Sequence, residues 1–469
     1  MAVCFLWHFP ASHLGLPLAI TLLCEVRTFL DSTCEPRPPG QLVRDGPRYS
    51  LENLLTSGIR AYQQLPNHCL NSEVGVTLNV MTETEGYVDQ AFAGLADPQP
   101  MYKALRETTP VFRSPTAWVL SRLADIEMAL KHTELFSSNM DAVDLGNVRP
   151  MIPLQIDPPD HAKYRRVLDP LFTPREMARR EPLVSELVNE MIDRFAGRGE
   201  CDFHEEFAVP LPCTVFLQLL GLPLEDLDQF LEWKDGIIRP AGDSGFDRRH
   251  ESGAPTAQQI YEYFDRAIDD HIANPRDDVL SAMIAANVEG KPLTREELLD
   301  ICILFLIAGL DTVTDSLDCF FVFLARHPEH RRQLVEQPDI LPSAIEELLR
   351  WETPVPGVAR VCVQDTEVGG CPISKGERIS PLLGAANTDP AEFPDPEVVD
   401  FTRNPNRHRA FGGGPHRCLG SHLARMELRV ALREFHRRIP NYEVKPGTQL
   451  TYTAALRSVE TLPLVFPAS

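Results

Sequence analysis

Three glycines and a proline in a row, Gly412-Gly413-Gly414-Pro415, constrain residues 411–420 more tightly than anything else in the chain. Such a run can be neither helix interior nor ordinary strand. Directly after it, Ser421 to Arg438 has the pattern of a helix, so Cys418 is placed at a helix N-terminus. Free N–H groups and the positive end of the helix dipole favour a thiolate there, which suits an anionic ligand or a nucleophile. Glycine at 412 and 414 lets the backbone lie flat against a large partner, a planar cofactor rather than a phosphate.

Other uses of the same residues stand beside this one. His416, Cys418 and His422 could ligate zinc, since 418 and 422 are one helical turn apart. Cys418 could also be a plain buried thiol, the reading given to the other ten cysteines. Phe411, Gly412, Gly414, His416, Cys418 and Gly420, however, resemble residue for residue the haem-binding loop of the cytochromes P450. That resemblance implies haem b held through Cys418 as axial thiolate, with His416 meeting a haem propionate.

The resemblance extends to three further stretches. Asp157-Pro158-Pro159-Asp160-His161 opens a helix that carries His161 and Arg165 at i and i+4. Two cationic donors so spaced can grip carboxylates, and the family uses such a pair on the propionates; a solvated helix surface is the competing reading. Thr294-Arg295-Glu296-Glu297 is a capping box, and the apolar pattern after it runs to Pro328. Roughly 32 residues at about 1.5 Å each predict one continuous rod near 48 Å long, apolar all round and therefore buried.

In its middle stands Ala308-Gly309-Leu310-Asp311-Thr312, an acid and an alcohol that are expensive to bury without a return. By resemblance Ala308 and Gly309 lie over the haem, Thr312 hydrogen-bonds bound dioxygen and Asp311 relays protons. The competing reading has Thr312 bonded back to a carbonyl four residues earlier and Asp311 paired to a base. Glu347 and Arg350 match the family's structural ion pair, with Arg403 as its third member, and Arg360 is expected on a propionate.

The fold this implies is mainly α with small sheets (α+β), the haem lying between the long central helix and the cysteine loop. Residues 81–469 form the haem-thiolate domain. Residues 1–80 carry four cysteines, a turn-rich stretch and no sustained period, and are expected to be a poorly ordered extension, whether a product of an upstream start codon or an accessory segment. The apolar run Leu14 to Cys24 is eleven residues long, where a spanning helix needs about 20. Elsewhere, Thr109–Arg113 and Trp118–Ser121 read as a hairpin, 136–156 as a loop walling a pocket, 175–235 as mainly helical, and 236–257 as a break that serves as a lid.

A net charge of −22 argues against nucleic acid and anionic membranes as partners. Eleven cysteines without repeated spacing suit a reducing cytoplasm. Residues 403–438 nevertheless hold nine arginines against Glu427 and Glu434. This basic island could steer an acidic electron carrier, or its arginines could be consumed by propionates and ion pairs. The function implied is monooxygenation by a monomer. O2 and electrons from a ferredoxin and its reductase would place one oxygen atom in an apolar small molecule. A peroxide-driven peroxygenase or coupling catalyst, and a non-enzymic haem sensor, are the rivals; neither needs the acid and alcohol at 311 and 312.

Overall fold

The computed structural model describes residues 95–142, 149–238, 249–453 and 456–468. The chain divides into two units, Met1–Thr84 and Glu85–Ser469, and every described residue belongs to the second. The expected extension 1–80 lies outside the described residues.

Helices dominate. The first seven are α1 (Gln99–Thr108), α2 (Leu123–Lys131), α3 (Asp160–Leu168), α4 (Pro174–Asp193), α5 (Pro210–Leu220), α6 (Leu227–Ile238) and α7 (Arg249–Ala273). They are followed by α8 (Val279–Ala285), α9 (Arg295–Gly309), α10 (Asp311–Arg326), α11 (Pro328–Glu336), α12 (Leu341–Glu352), α13 (Leu383–Ala386) and α14 (Ser421–Arg438). The strands are short. A five-stranded sheet is built from β1 (Val111–Arg113), β2 (Trp118–Leu120), β3 (Phe136–Ser137) and two later strands. A three-stranded sheet includes β4 (Glu200–Asp202), and β5 (Asn287–Val288) pairs with β6 (Lys291–Pro292). Next come β7 (Arg360–Cys362), the hairpin β8 (Thr366–Val368) and β9 (Cys371–Ile373), β10 (Arg378–Pro381), β11 (Glu443–Val444) and β12 (Pro463–Val465). The large sheet runs β1-β2-β10-β7-β3 and the smaller one β11-β12-β4.

The expected hairpin is present, with Val111 opposite Leu120 and Arg113 opposite Trp118. The capping box is present too: Thr294 Oγ1 accepts from the Glu297 amide at 3.2 Å, and Glu297 Oε2 accepts from the Thr294 amide at 2.7 Å. The single rod it was expected to open is instead two helices, because the backbone departs from the helical ladder at Leu310 (φ −90°, ψ −58°).

The two halves serve different cores. Ile301, Ile303, Leu306 and Leu310 pack with α5, α6, α7 and α8. Val313, Leu317, Phe320 and Phe321 pack with α4, α12 and α14. The rod is also not apolar all round, since α10 buries Asp311, Asp315 and Asp318. Asp318 Oδ2 lies 2.7 Å from His204 Nδ1 and accepts from the Ser458 hydroxyl at 2.9 Å. The break expected over 236–257 is narrower than the sequence suggested. Helix α6 reaches Ile238 and α7 begins at Arg249, with 239–248 outside the described residues. Glycine and aspartate in those flanks do not prevent helix formation where tertiary packing favours it.

Candidate active site

The cysteine loop is closed on itself: the Cys418 amide donates to Phe411 O at 3.0 Å and the Gly412 amide to Arg409 O at 2.8 Å. Gly414 (φ +64°) lies so close to α2 that a Cβ would stand 2.1 Å from Leu130 O. The close approach that requires glycine at 414 is therefore to the protein's own backbone, a correction to the flat partner expected from sequence. Gly412 (φ +68°) and Gly420 are different, since a Cβ on either would meet nothing within 4 Å.

Cys418 itself is exposed, whereas the other cysteines of the described residues are buried. Even so, desolvation by the surrounding chain raises its thiol pKa, against the lowering effect of a bond from the Gly420 backbone and of Arg165, Arg417 and Arg425. A metal cation on the sulfur would reverse this balance.

Four buried donors converge beside the loop. His161 and His416 have ring centroids 4.3 Å apart, and the Nε2 atoms of both, together with Arg360 Nε and Ser138 Oγ, are buried without a hydrogen-bond partner. Burial, then Arg165, lowers the His161 pKa to about 4. Burial, then Arg360 and His161, lowers that of His416 to about 3. Burial brings Arg360 down to about 10. Asp157 stands 3.8 Å from His416 Nε2, but it is already engaged by Ser137 and by the Ser138 amide.

Two imidazoles held neutral by desolvation and by neighbouring cations, beside a buried guanidinium without a matching charge at its Nε, are what a pair of incoming carboxylates would relieve. The donor set therefore fits the propionates of haem b. Arg165 contributes less freely than expected: its Nε donates to Asp169 at 2.7 Å and its Nη1 to Arg417 O at 2.8 Å.

At the helix break, Thr312 Oγ1 donates to Ala308 O at 3.2 Å, and Lys234 Nζ of α6 stands 3.1 Å from Asp311 Oδ1 with both side chains buried. The back-bond and the base of the competing reading are thus both present. Lys234 stands among Glu232 and Asp235 in the sequence, so nothing local marks it as the partner of a buried acid. Gly309 faces Phe216, whose ring edge would lie 3.9 Å from an added Cβ.

The structural ion pair is fully assembled. Glu347, entirely buried, accepts from Arg350 Nε and Nη2 at 2.8 Å each and from Arg403 Nε at 3.1 Å. Asn406 Nδ2 at 3.0 Å and the Asp400 amide at 2.9 Å complete the set, two partners that sequence did not reveal.

The basic island is largely neutralised. Arg403, Arg407, Arg409, Arg425, Arg429, Arg433, Arg437 and Arg438 each face a carboxylate. Among the described residues Arg417 is the exception. Among the described residues no group of three His, Cys, Asp or Glu side chains is arranged to hold a metal ion, and no helix is long and apolar enough to cross a membrane.

A lone cysteine in a closed loop, a carboxylate cradle beside it and an acid-alcohol pair at a helix break define a haem-thiolate site. Comparison with known proteins agrees: the sequence profile of cytochrome P450 matches residues 238–452. The chain is 37% identical over 349 residues to the probable cytochrome P450 127A1 of Sinorhizobium fredii, covering 72% of this chain and 82% of that one. It is 36% identical over 380 residues to the mycinamicin IV hydroxylase/epoxidase of Micromonospora griseorubida, covering 78% and 94%. The crystal structure of P450BioI in complex with hexadec-9Z-enoic acid ligated acyl carrier protein superposes with a TM-score of 0.73 at 32% identity, covering 79% of this chain and 98% of that one. This chain belongs to the cytochrome P450 family, the haem b monooxygenases, and shares the family's helix-rich fold.

Proposed function

We propose that this cytochrome P450 hydroxylates or epoxidises an apolar small molecule, with electrons delivered by a ferredoxin-type carrier and its reductase. In this reading Cys418 would bind the haem iron through its sulfur, and His161, His416 and Arg360 would hold the propionates, with Arg165 at their rim. Ala308 and Gly309 would line the haem pocket, while Phe411 and Gly420 would frame the sulfur. When bound, haem supplies the oxidation, with one atom of O2 going to the substrate and the other leaving as water.

The chain's own part is to orient the reactants and move protons. Thr312 Oγ1 can exchange its bond to Ala308 O for one to the reacting oxygen. Asp311, whose Oδ1 stands 3.1 Å from Lys234 Nζ, can take up a proton and hand it on to that hydroxyl. The observation that carries the proposal is the convergence of His161 Nε2, His416 Nε2 and Arg360 Nε, each buried without a hydrogen-bond partner, next to a cysteine already bonded into a closed loop. Two relatives whose names or titles mention mycinamicin IV and hexadec-9Z-enoic acid support an apolar acceptor. Exposed Arg417, beside the cysteine, is the charge left for a carrier to meet. We further propose that residues 1–80 form an extension separate from the catalytic body and that the enzyme works in the cytoplasm.

Expression with haem supply tests this reading. The reduced carbon-monoxide spectrum should carry the thiolate signature, and turnover should require ferredoxin, reductase and reduced nicotinamide. Colourless protein, or product formed with peroxide alone, would overturn it. Optical screening for ligands that displace the sixth iron ligand then identifies the substrate class.

A further inference from the structure

The wall segment 149–156 is internally tied, and Arg149 anchors it to two helices. The Met151 amide donates to Gln155 Oε1 at 2.9 Å, and the Gln155 amide donates to Met151 O at 2.9 Å. These two bonds make a small rigid pad. Ile152 on the pad packs into the same apolar cluster as Ile303 and Leu306 of α9, the helix that ends at the proposed reaction centre.

At the head of the pad, Arg149 donates from Nε at 3.0 Å and from Nη2 at 2.8 Å to a single oxygen of Asp300. Its guanidinium also lies 5.4 Å from the centre of the Tyr261 ring of α7, and the Tyr261 hydroxyl reaches the same Asp300 oxygen at 3.4 Å. Asp300 is only 6% exposed while Arg149 is 35% exposed. A buried carboxylate thus depends on a charge that comes from the loop, and the loop cannot leave without stranding it. One residue joins three separate elements: the wall, α9 and α7. The Tyr164 hydroxyl on α3, bonded to Glu297 Oε1 at 2.7 Å, ties the next element to α9 independently.

We propose that Arg149 is a specificity-determining positioning residue: its grip on Asp300 and Tyr261 fixes the 149–156 wall against α9 and so limits the bulk of ligand that reaches the haem-thiolate site. This rests on the functional reading above, and the two fail separately. Failure of that reading appears in the parent protein, whereas failure of this one appears only in the variants.

The test uses the haem-loaded full chain, with imidazole and 4-phenylimidazole as iron-binding probes of different size, followed optically, and with amide hydrogen exchange of 150–156. Arg149→Ala should shift the affinity ratio at least tenfold towards the bulkier probe and raise exchange in 150–156 while leaving 160–168 unchanged. Arg149→Lys, which keeps the charge but loses the planar fork, should fall between parent and alanine variant. Should the alanine variant fail to accumulate, Arg149→Gln, which retains a donor for Asp300, takes its place with the same expectation. A ratio within twofold of the parent overturns the proposal, even if exchange rises. An altered ratio without faster exchange also overturns it, because Arg149 would then act by touching the ligand rather than by holding the wall.

Discussion

Replacing Glu347 by glutamine is the most direct test of how the loop region is held. The carboxylate is entirely buried and accepts from two arginines, an asparagine and a backbone amide. Arg350, equally buried, also donates to the carbonyls of Asn387 and Pro396, and Arg403 to those of Pro394 and Val398. The cluster therefore knits 387–403 onto α12. Glutamine preserves the shape but removes the one charge opposing two guanidinium groups, and it turns one acceptor into a donor that faces Arg350 or Arg403.

Stranding a buried charge in this way costs about 3–5 kcal/mol. Divided by the unfolding entropy of a unit this large, that is a fall of roughly 5 °C in Tm. Urea unfolding and thermal melts of the haem-loaded protein, with haem content measured alongside, are the assays. A variant within about 1 kcal/mol of the parent, with full haem content, would refute the argument that charge rather than shape holds this meander.

Three other outcomes are expected. Lys234→Met should strand Asp311, destabilising the chain by about 3 kcal/mol, and the double variant with Asp311→Asn should recover most of the loss; chemical denaturation of the four proteins closes the cycle. Gly414→Ala should lower both Tm and haem content, costing at least about 2 kcal/mol, because it combines a left-handed φ with an overlap onto Leu130 O. In the haem-free chain His161 has a pKa lowered to about 4, so the unfolded state binds more protons below pH 6.5. Stability should be intact above pH 6.5 and fall as pH drops towards 4, by about 2 kcal/mol at pH 5. His161→Phe should flatten that slope in urea midpoints measured between pH 7.5 and 5.

Local chemistry made some of this architecture readable. The capping box at Thr294, the hairpin about Ser114 and the Glu347 pair are written in residues a few positions apart, and each stands where it was expected. What could not be read depended on contacts between distant segments. The helix break at Leu310 stands where the chain passes from one apolar core to the other, a division that no window along the chain reports. Lys234 meets Asp311 across 77 positions, and the requirement for glycine at 414 comes from a carbonyl on α2.

The arginines that run from the cysteine loop along α14 have a consequence for electron delivery. With eight of nine already matched to carboxylates, little long-range field projects from that face. A reductant docking there would encounter a surface that attracts weakly at a distance. Its encounter rate would then change little with ionic strength, and recognition would rest on shape and on Arg417 rather than on steering through solvent.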